Sequence, residues 1–297
     1  MTKRIVSLLI FIAIITSIVS CKKIPELEFS ESDNSYIYIN QDYGNHERHY
    51  LDLVIPKEPI SEQGIILYIH GGGWIGGDKD GYIDRLKHDT SLGYVAASIN
   101  YRYADGKSVT CDEIMDDIDA ALAKIKDICS GYGYNLTNVM IGGGSAGAHL
   151  SLMYAYTRVD TAPIKPVAAV SYAGPTDLTD LNFYVTQYKE DIEKMIYSIS
   201  GAKVTKKPVT ECEDLLLKVS PINYVNSNTV PTLLCHGMKD DVVPYSNATT
   251  LFELLKKHGV TVELITFPNS GHGLEADSDK SNYADETFYR YVDEYLK

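Results

Sequence analysis

The sequence predicts an α/β fold, with a mostly parallel eight-stranded sheet, helices on both faces and a small cap insertion. Three observations carry this. Apolar runs of strand length alternate with longer helix-like stretches along most of the 297 residues. Several of those runs open directly onto glycine-rich or polar loops, at the side of the sheet where ligands collect in such folds. One run, Asn138-Val139-Met140-Ile141, leads through Gly143-Gly144-Ser145-Ala146-Gly147 into a helix-like stretch, a strand–turn–helix passage.

The amino terminus is expected to lie outside this fold. Lys3-Arg4 precede Ile5–Val19, fifteen mostly apolar residues, fewer than the roughly twenty that span a bilayer. A positive start and a short apolar core describe a signal peptide over residues 1–20. Its end, Ile18-Val19-Ser20-Cys21, is similar to a bacterial lipobox, which makes Cys21 the expected lipidated residue and 21–35 a polar attachment and tether. The protein is thereby expected to be exported and held at a membrane, on its periplasmic or cell-surface face. Two of the 27 basic residues, Lys3 and Arg4, fall in the leader, against 40 acidic residues elsewhere, so the net charge of −13 becomes −15 without it. Such a surface repels nucleic acid and anionic headgroups, which argues against a nucleic-acid partner and leaves attachment to the lipid.

Residues 36–297 read as one domain, long enough to bury a large core. Tyr36–Asn40 and His49–Ile55 are the expected opening antiparallel strands. Ile65–Ile69, Tyr94–Asn100, Asn138–Ile141, Val167–Tyr172 and Thr232–Cys235 are short apolar runs, as buried strands require, and Val262–Phe267 is a further expected strand. Helices are expected over Asp112–Ile128, after Ser145, over Tyr188–Ser198 and over Ser246–His258. Between residues 177 and 220 the alternation loosens; this stretch holds several tyrosines and a polar break at Gly201–Pro208, and forms the expected cap.

Four loops at strand ends hold the residues that can do chemistry. A G-x-S-x-G turn is so tight that glycine must flank it, and it lifts the side chain of Ser145 to the tip, within reach of a carbonyl. Such a pentapeptide arises by chance about once in ten chains of this length, so its partners decide the reading. The first partner is His70-Gly71-Gly72-Gly73-Trp74, directly after Ile65–Ile69. Three consecutive glycines are entropically costly, so a bare backbone is needed there. N–H groups of Gly72 and Gly73, with that of Ala146, can form an oxyanion hole for a tetrahedral intermediate. The rival reading, a phosphate loop, lacks both the Gly-Lys-Ser/Thr ending and the G-x-G-x-x-G spacing. Further on, Thr232–Cys235 ends in His236-Gly237-Met238-Lys239-Asp240-Asp241-Val242-Val243-Pro244, and Val262–Phe267 opens onto Pro268-Asn269-Ser270-Gly271-His272-Gly273. A serine, an acid and a histidine thus follow one another at strand ends.

With these four motifs the chain resembles the α/β-hydrolases of the esterase/lipase group over residues 35–297, and is similar to acetyl xylan and feruloyl esterase-like carboxylesterases. The resemblance implies Ser145 as nucleophile, His272 as base and Asp240 as orienting acid; Asp241 is the neighbouring alternative, but the H-G-x-x-D spacing falls on Asp240. It implies an acyl-enzyme reaction with no metal or redox cofactor, on a small-molecule or oligosaccharide ester. Trp74 abuts the glycine loop, where it either lines the acyl pocket or simply packs. No long cap region precedes His70, unlike the larger hormone-sensitive-lipase relatives, which implies an open site and speaks against long-chain lipids. An exported acidic esterase suits removal of acetyl or aromatic acyl groups from carbohydrate. The other readings are an amidase or peptidase of formamidase-like type, and a non-catalytic binding lipoprotein; the second is disfavoured because every catalytic motif survives.

The remaining reactive side chains read as structural. His46 and His49 lie in a polar strand-edge region, and His88 and His258 on exposed faces of helix candidates. His149, four residues after Ser145, is expected to pack or hydrogen-bond, and His70 and His236 to brace their loops. Cys111 and Cys129 bracket a helix candidate whose ends stand roughly 25 Å apart, too far for a bridge; with Cys212 and Cys235 they are expected to be mostly free. Tyr101, Tyr172, Tyr184 and Tyr245 fall near strand ends or the cap, placed either to stack on sugar rings or to serve as half-buried core.

Overall fold

A computed structural model of the chain describes residues 26–30, 34–58, 64–203 and 209–296. The expected signal peptide and Cys21 lie outside the described residues. In chain order the strands are β1 (Glu26–Ser30), β2 (Ser35–Asp42), β3 (Tyr50–Pro56), β4 (Gly64–Ile69), β5 (Val95–Ile99), β6 (Asn138–Gly144), β7 (Lys165–Tyr172), β8 (Thr232–Gly237) and β9 (Val262–Phe267). The helices are α1 (Ile83–Ser91), α2 (Cys111–Ser130), α3 (Ala146–Thr157), α4 (Lys189–Ser200), α5 (Glu213–Lys218), α6 (Ser246–Lys257) and α7 (Ser278–Tyr295). The strands form one sheet in the order β1-β2-β3-β5-β4-β6-β7-β8-β9. The first three are antiparallel, β3 meets β5 antiparallel, and every pairing from β5 through β9 is parallel.

The sheet has nine described strands where eight were expected. The extra one, β1, comes from within the stretch expected as a tether. Burial does not create it: Leu27 and Phe29 remain 60% and 42% exposed. Backbone pairing to β2 does, from Glu26 opposite Ile39 to Ser30 opposite Ser35, covering an edge that would otherwise be open.

Alternation along each parallel strand builds two cores. In β4, Ile65, Leu67 and Ile69 face α2, α3 and α6, while Ile66 and Tyr68 face α1 and α7. Helix α3 is buried on all sides from Ala146 to Tyr156, so it presents no polar face. Helix α2 starts at a reciprocal cap, where Glu113 accepts from the Thr110 N–H at 2.8 Å and the Thr110 hydroxyl at 2.7 Å. The insertion between β7 and β8 carries α4 and α5; Ile192, Ile196 and Ile199 form the buried stripe of α4, and Gly201, at φ +71°, stops it in the left-handed region.

Register aligns the carboxyl ends of the strands. Ile69 pairs with Gly143, Gly144 with Tyr172, and Gly237 with Phe267. The loops after β4, β6, β8 and β9 therefore emerge along one edge.

Candidate active site

Ser145 stands between β6 and α3 at φ +54°, ψ −121°, a conformation rare for a residue with a side chain. Two bonds hold it: its N–H donates to the Tyr172 carbonyl at 2.8 Å, and its own carbonyl accepts from the His149 N–H at 3.0 Å. The residues two before and two after it must be glycine because the end of β4 presses against the turn. A methyl added at Gly143 or Gly147 would lie 2.2 or 2.0 Å from the Ile69 carbonyl oxygen.

The serine hydroxyl lies 2.9 Å from His272 Nε2, and His272 Nδ1 lies 2.8 Å from Asp240 Oδ2. A carboxylate can only accept, so Nδ1 carries the proton and Nε2 is left to accept from the serine. Asp240 Oδ1 accepts from the N–H groups of Val242 and Val243, each at 2.9 Å. The acid side chain is wholly buried, whereas the imidazole is 27% exposed. Burial alone would raise the Asp240 carboxyl; hydrogen bonds from His236 and His272 and from the Val243 amide outweigh it and hold the group well below the usual carboxylate range. Asp241 is exposed and accepts from the Gln187 amide at 3.0 Å instead. Its neighbour alone reaches the histidine.

His236 Nε2 donates to the Val243 carbonyl at 2.9 Å and stands 3.3 Å from Asp240, so it closes the acid loop on itself. His70 does the same for the glycine loop. Its Nδ1–H donates to the Gly71 carbonyl at 2.7 Å, Nε2 accepts from Arg48 at 3.1 Å, and the ring stacks on Tyr101 at 4.3 Å. Burial pushes this imidazole down to about 4, so it stays neutral. Arg48 also donates to the Gly77 carbonyl at 3.0 Å; nothing in its sequence neighbourhood signals this brace, which joins β3's approach to the loop after β4.

Gly72, Gly73 and Ala146 line the same cavity as Ser145 and His272. Ala146 opens α3, so its N–H has no partner within the helix. The cavity measures about 330 Å³, and its walls beyond these residues are apolar: Trp74, Leu178, Phe183, Ile192, Met195 and Val243 among them. Trp74 thus both lines the cavity and packs, at 4% exposure. The walls contributed by Phe183 and α4 escaped residue-by-residue reading; the three- and four-residue spacing from Ile192 to Met195 and Ile196 is the signal that could have found the α4 wall.

None of the four tyrosines considered for stacking on sugar lines this cavity. Tyr101 is fully buried and donates to the His70 carbonyl at 3.0 Å, Tyr184 donates to the Leu178 carbonyl at 3.0 Å, and Tyr245 bonds the Thr266 hydroxyl at 2.6 Å. Tyr172 holds Ser145 through its backbone, while its side chain faces a second cavity of about 520 Å³ between α1 and α7. His49, expected at a strand edge, stacks on Tyr43 and bonds Asp117 at 3.0 Å. Cys111, Cys129, Cys212 and Cys235 are free and buried.

A family model described as BD-FAE matches residues 51–255, and one described as the dienelactone hydrolase family matches residues 216–297. The chain is 30% identical over 202 residues to the probable carboxylic ester hydrolase LipM of Mycobacterium tuberculosis, covering 65% of this chain and 45% of LipM. It is 28% identical over 224 residues to the esterase LipQ of the same organism, covering 71% and 50%. It therefore spans about half the length of these relatives. Esterase B from Lactobacillus rhamnosis superposes with a TM-score of 0.69 at 17% identity, covering 87% of this chain and 86% of that one. A truncated carbohydrate esterase from gut microbiota superposes with a TM-score of 0.65 at 22% identity, covering 86% and 98%. With both the chain shares the α/β-hydrolase fold.

Proposed function

This chain belongs to the BD-FAE family, and from that premise we propose that it is a serine carboxylesterase acting through Ser145, His272 and Asp240. The observation that carries the reading is the unbroken hydrogen-bond chain from Ser145 Oγ through His272 to Asp240, with Ser145 and His272 lining an otherwise apolar cavity. The Ser145 oxygen attacks the ester carbonyl while its proton passes to His272 Nε2. Asp240 holds the imidazole in the required tautomer and balances its charge. The carbonyl oxygen, now negative, meets the N–H groups of Gly72, Gly73 and Ala146. Collapse returns the proton from Nε2 to the leaving alkoxide, and water then cleaves the acyl-enzyme with the same histidine as base.

The acyl group we assign is aromatic or a chain longer than acetyl. At about 30 Å³ for each water-sized group, the cavity has room on the order of ten non-hydrogen atoms. An acetyl methyl would leave most of it empty, whereas a phenylpropenoyl group fills it. The name of the gut carbohydrate esterase supports carbohydrate as the alcohol side. Export and lipid attachment at Cys21 belong to the same proposal, and the mass of residue 21 in membrane-extracted protein tests them.

The reaction is tested by nitrophenyl ester hydrolysis and by labelling with a fluorophosphonate, each beside Ser145→Ala. Turnover and labelling that both vanish in the variant support the reading. Labelling that persists there overturns the assignment of the nucleophile.

A further inference from the structure

Trp74 is a bulky aromatic residue in the left-handed region, at φ +65°, directly after the two glycines assigned to the oxyanion hole. Such a residue keeps that conformation only where its surroundings over-determine it. Its carbonyl accepts from the Ala104 N–H at 2.9 Å, and its indole Nε1–H donates to His149 Nδ1 at 3.1 Å. The two rings stand edge to face, 5.1 Å apart at 79°.

The donors and acceptors permit a single proton arrangement. An indole N–H can only donate, so His149 Nδ1 must accept. The Val219 carbonyl can only accept and lies 2.7 Å from Nε2, so Nε2 carries the proton. Burial disfavours a second proton and pushes this imidazole down to about 4. His149 sits one helical turn beyond Ser145, and its N–H closes the first bond of α3 on the Ser145 carbonyl. On its other side, Val219 precedes Ser220, whose hydroxyl donates to the Leu216 carbonyl at 2.7 Å and accepts from the Leu178 N–H at 2.9 Å. Leu178 lines the cavity. One fully buried side chain thus joins the nucleophile turn, the glycine loop and the end of the cap.

We propose that His149 is a positioning residue which, through Trp74, sets the amides of Gly72 and Gly73 against Ser145 and ties that setting to the cap. The inference rests on the esterase reading. His149 does not line the cavity, so its effect falls on transition-state stabilisation rather than on substrate binding.

Trp74 is the only tryptophan of the chain, so its emission reports the contact whether or not the protein turns over an ester. Three variants separate the parts. H149N places an amide oxygen near Nδ1 and keeps the acceptor for Trp74; H149Q keeps a donor for Val219 but leaves the indole without an acceptor; W74F removes the indole donor. Misplacing catalytic groups by an ångström is worth up to about a hundredfold, so H149Q and W74F should each lower kcat on nitrophenyl butyrate about ten- to a hundredfold; KM should hold within about twofold in H149Q, whereas W74F also trims a cavity wall and is read by kcat alone. The double variant should be no slower than the slower single one, because both break one link. H149N should stay within about threefold of wild type, with its Trp74 emission maximum unmoved, while that of H149Q shifts. If H149Q does not fold, W74F carries the kcat test. Wild-type kcat in folded H149Q or W74F, losses that multiply in the double variant, or a loss confined to KM would each overturn the proposal. An unmoved emission maximum in folded H149Q would overturn the contact itself. Wild-type protein inert toward every ester is a different failure: it overturns the esterase reading, while the emission still reports the contact.

Discussion

The cavity at Ser145 makes a quantitative claim about acyl length. Burying a methylene is worth about 0.8 kcal/mol, or about fourfold in kcat/KM, and about half that free energy if the wall stays partly wet, which is twofold. From nitrophenyl acetate to butyrate, two methylenes enter the cavity, so kcat/KM should rise about four- to fifteenfold. The rise should continue until the roughly ten-atom room is used, and phenylpropenoyl esters should lie near the top of the series. Met195→Ala supplies the structural test. Met195 lines the cavity where α4 meets the glycine loop, close enough that a methyl added at Gly73 would lie 2.1 Å from its sulfur. Truncation removes three non-hydrogen atoms, and the optimum should move out by about three carbons at water-sized volume per atom. Initial rates across acetate, butyrate, hexanoate, octanoate and decanoate, at substrate well below KM, read both effects. A wild-type profile that falls from acetate onward would refute the assignment of this cavity to the acyl group. An unmoved optimum in folded Met195→Ala would refute the role of α4 as its wall.

Three further outcomes follow from the geometry. Asp240→Asn should lower kcat about ten-thousandfold by losing the tautomer control, whereas Asp241→Asn, altering an exposed carboxylate, should stay within about twofold, both measured on one nitrophenyl ester. Gly147→Ala should lower the melting temperature by about 6–12 °C, since its methyl would overlap the Ile69 and His70 carbonyls at about 3 kcal/mol; an unchanged melting curve contradicts the packing of β4 on the turn. His149 and His70 both have their pKa pushed from 6.5 to about 4 by burial, so between those values the unfolded chain binds protons that the native protein does not. Stability must therefore fall as pH drops through that window, by about 3 kcal/mol for each, and level off below it as far as these two groups are concerned; the loss tied to Asp240 begins only as pH passes below its unfolded value of 3.8. Urea midpoints at pH 7, 5.5 and 4 measure the total, and folded H149N should lose about half of the slope.

How much of this was legible in the sequence depends on where each signal resides. Strands β4 to β8 are apolar because both faces are largely buried, whereas β9, at the sheet edge, is only half-buried; the ends of β6, β8 and β9 carry the loops with Ser145, Asp240 and His272 in an order that the sheet then folds to one edge. Strand β1 was not legible, since backbone pairing rather than burial holds it. Helix α7 was not among the expected helices. Its inner face is built from Ala284, Thr287, Phe288, Tyr291 and Val292, and a tyrosine reads as polar until its hydroxyl finds an acceptor, here the Thr232 carbonyl at 3.3 Å. Of the two adjacent aspartates only the H-G-x-x-D spacing spoke for Asp240 in the sequence; the loop after β8 turns that side chain wholly inward and leaves Asp241 in solvent. Likewise Trp74 and His149 meet across 75 residues, and no local spacing encodes that contact.

The backbone of the site explains how rate and selectivity divide between sheet and cap. Trp74, Ser145 and Ala173 all hold positive φ, in the loop after β4 and directly after β6 and β7, and each such position costs of order 1–3 kcal/mol. Each is restrained by the next element along the sheet edge: Trp74 by His149 at the start of α3, the Ser145 N–H by the Tyr172 carbonyl at 2.8 Å, and the Ala173 N–H by the Cys235 carbonyl at 2.8 Å. The restraint therefore runs from β4 through β6 and β7 to β8, and the loop after β9 completes it with His272. A set of strained positions that lean on one another cannot relax singly, which is what holds the proposed nucleophile and oxyanion donors in place before substrate arrives. The cap contributes none of those bonds except through Val219, and supplies walls instead. Substitutions in α4 should accordingly change which acyl group is taken while leaving the best kcat intact, and substitutions along the sheet edge should lower kcat for every ester alike.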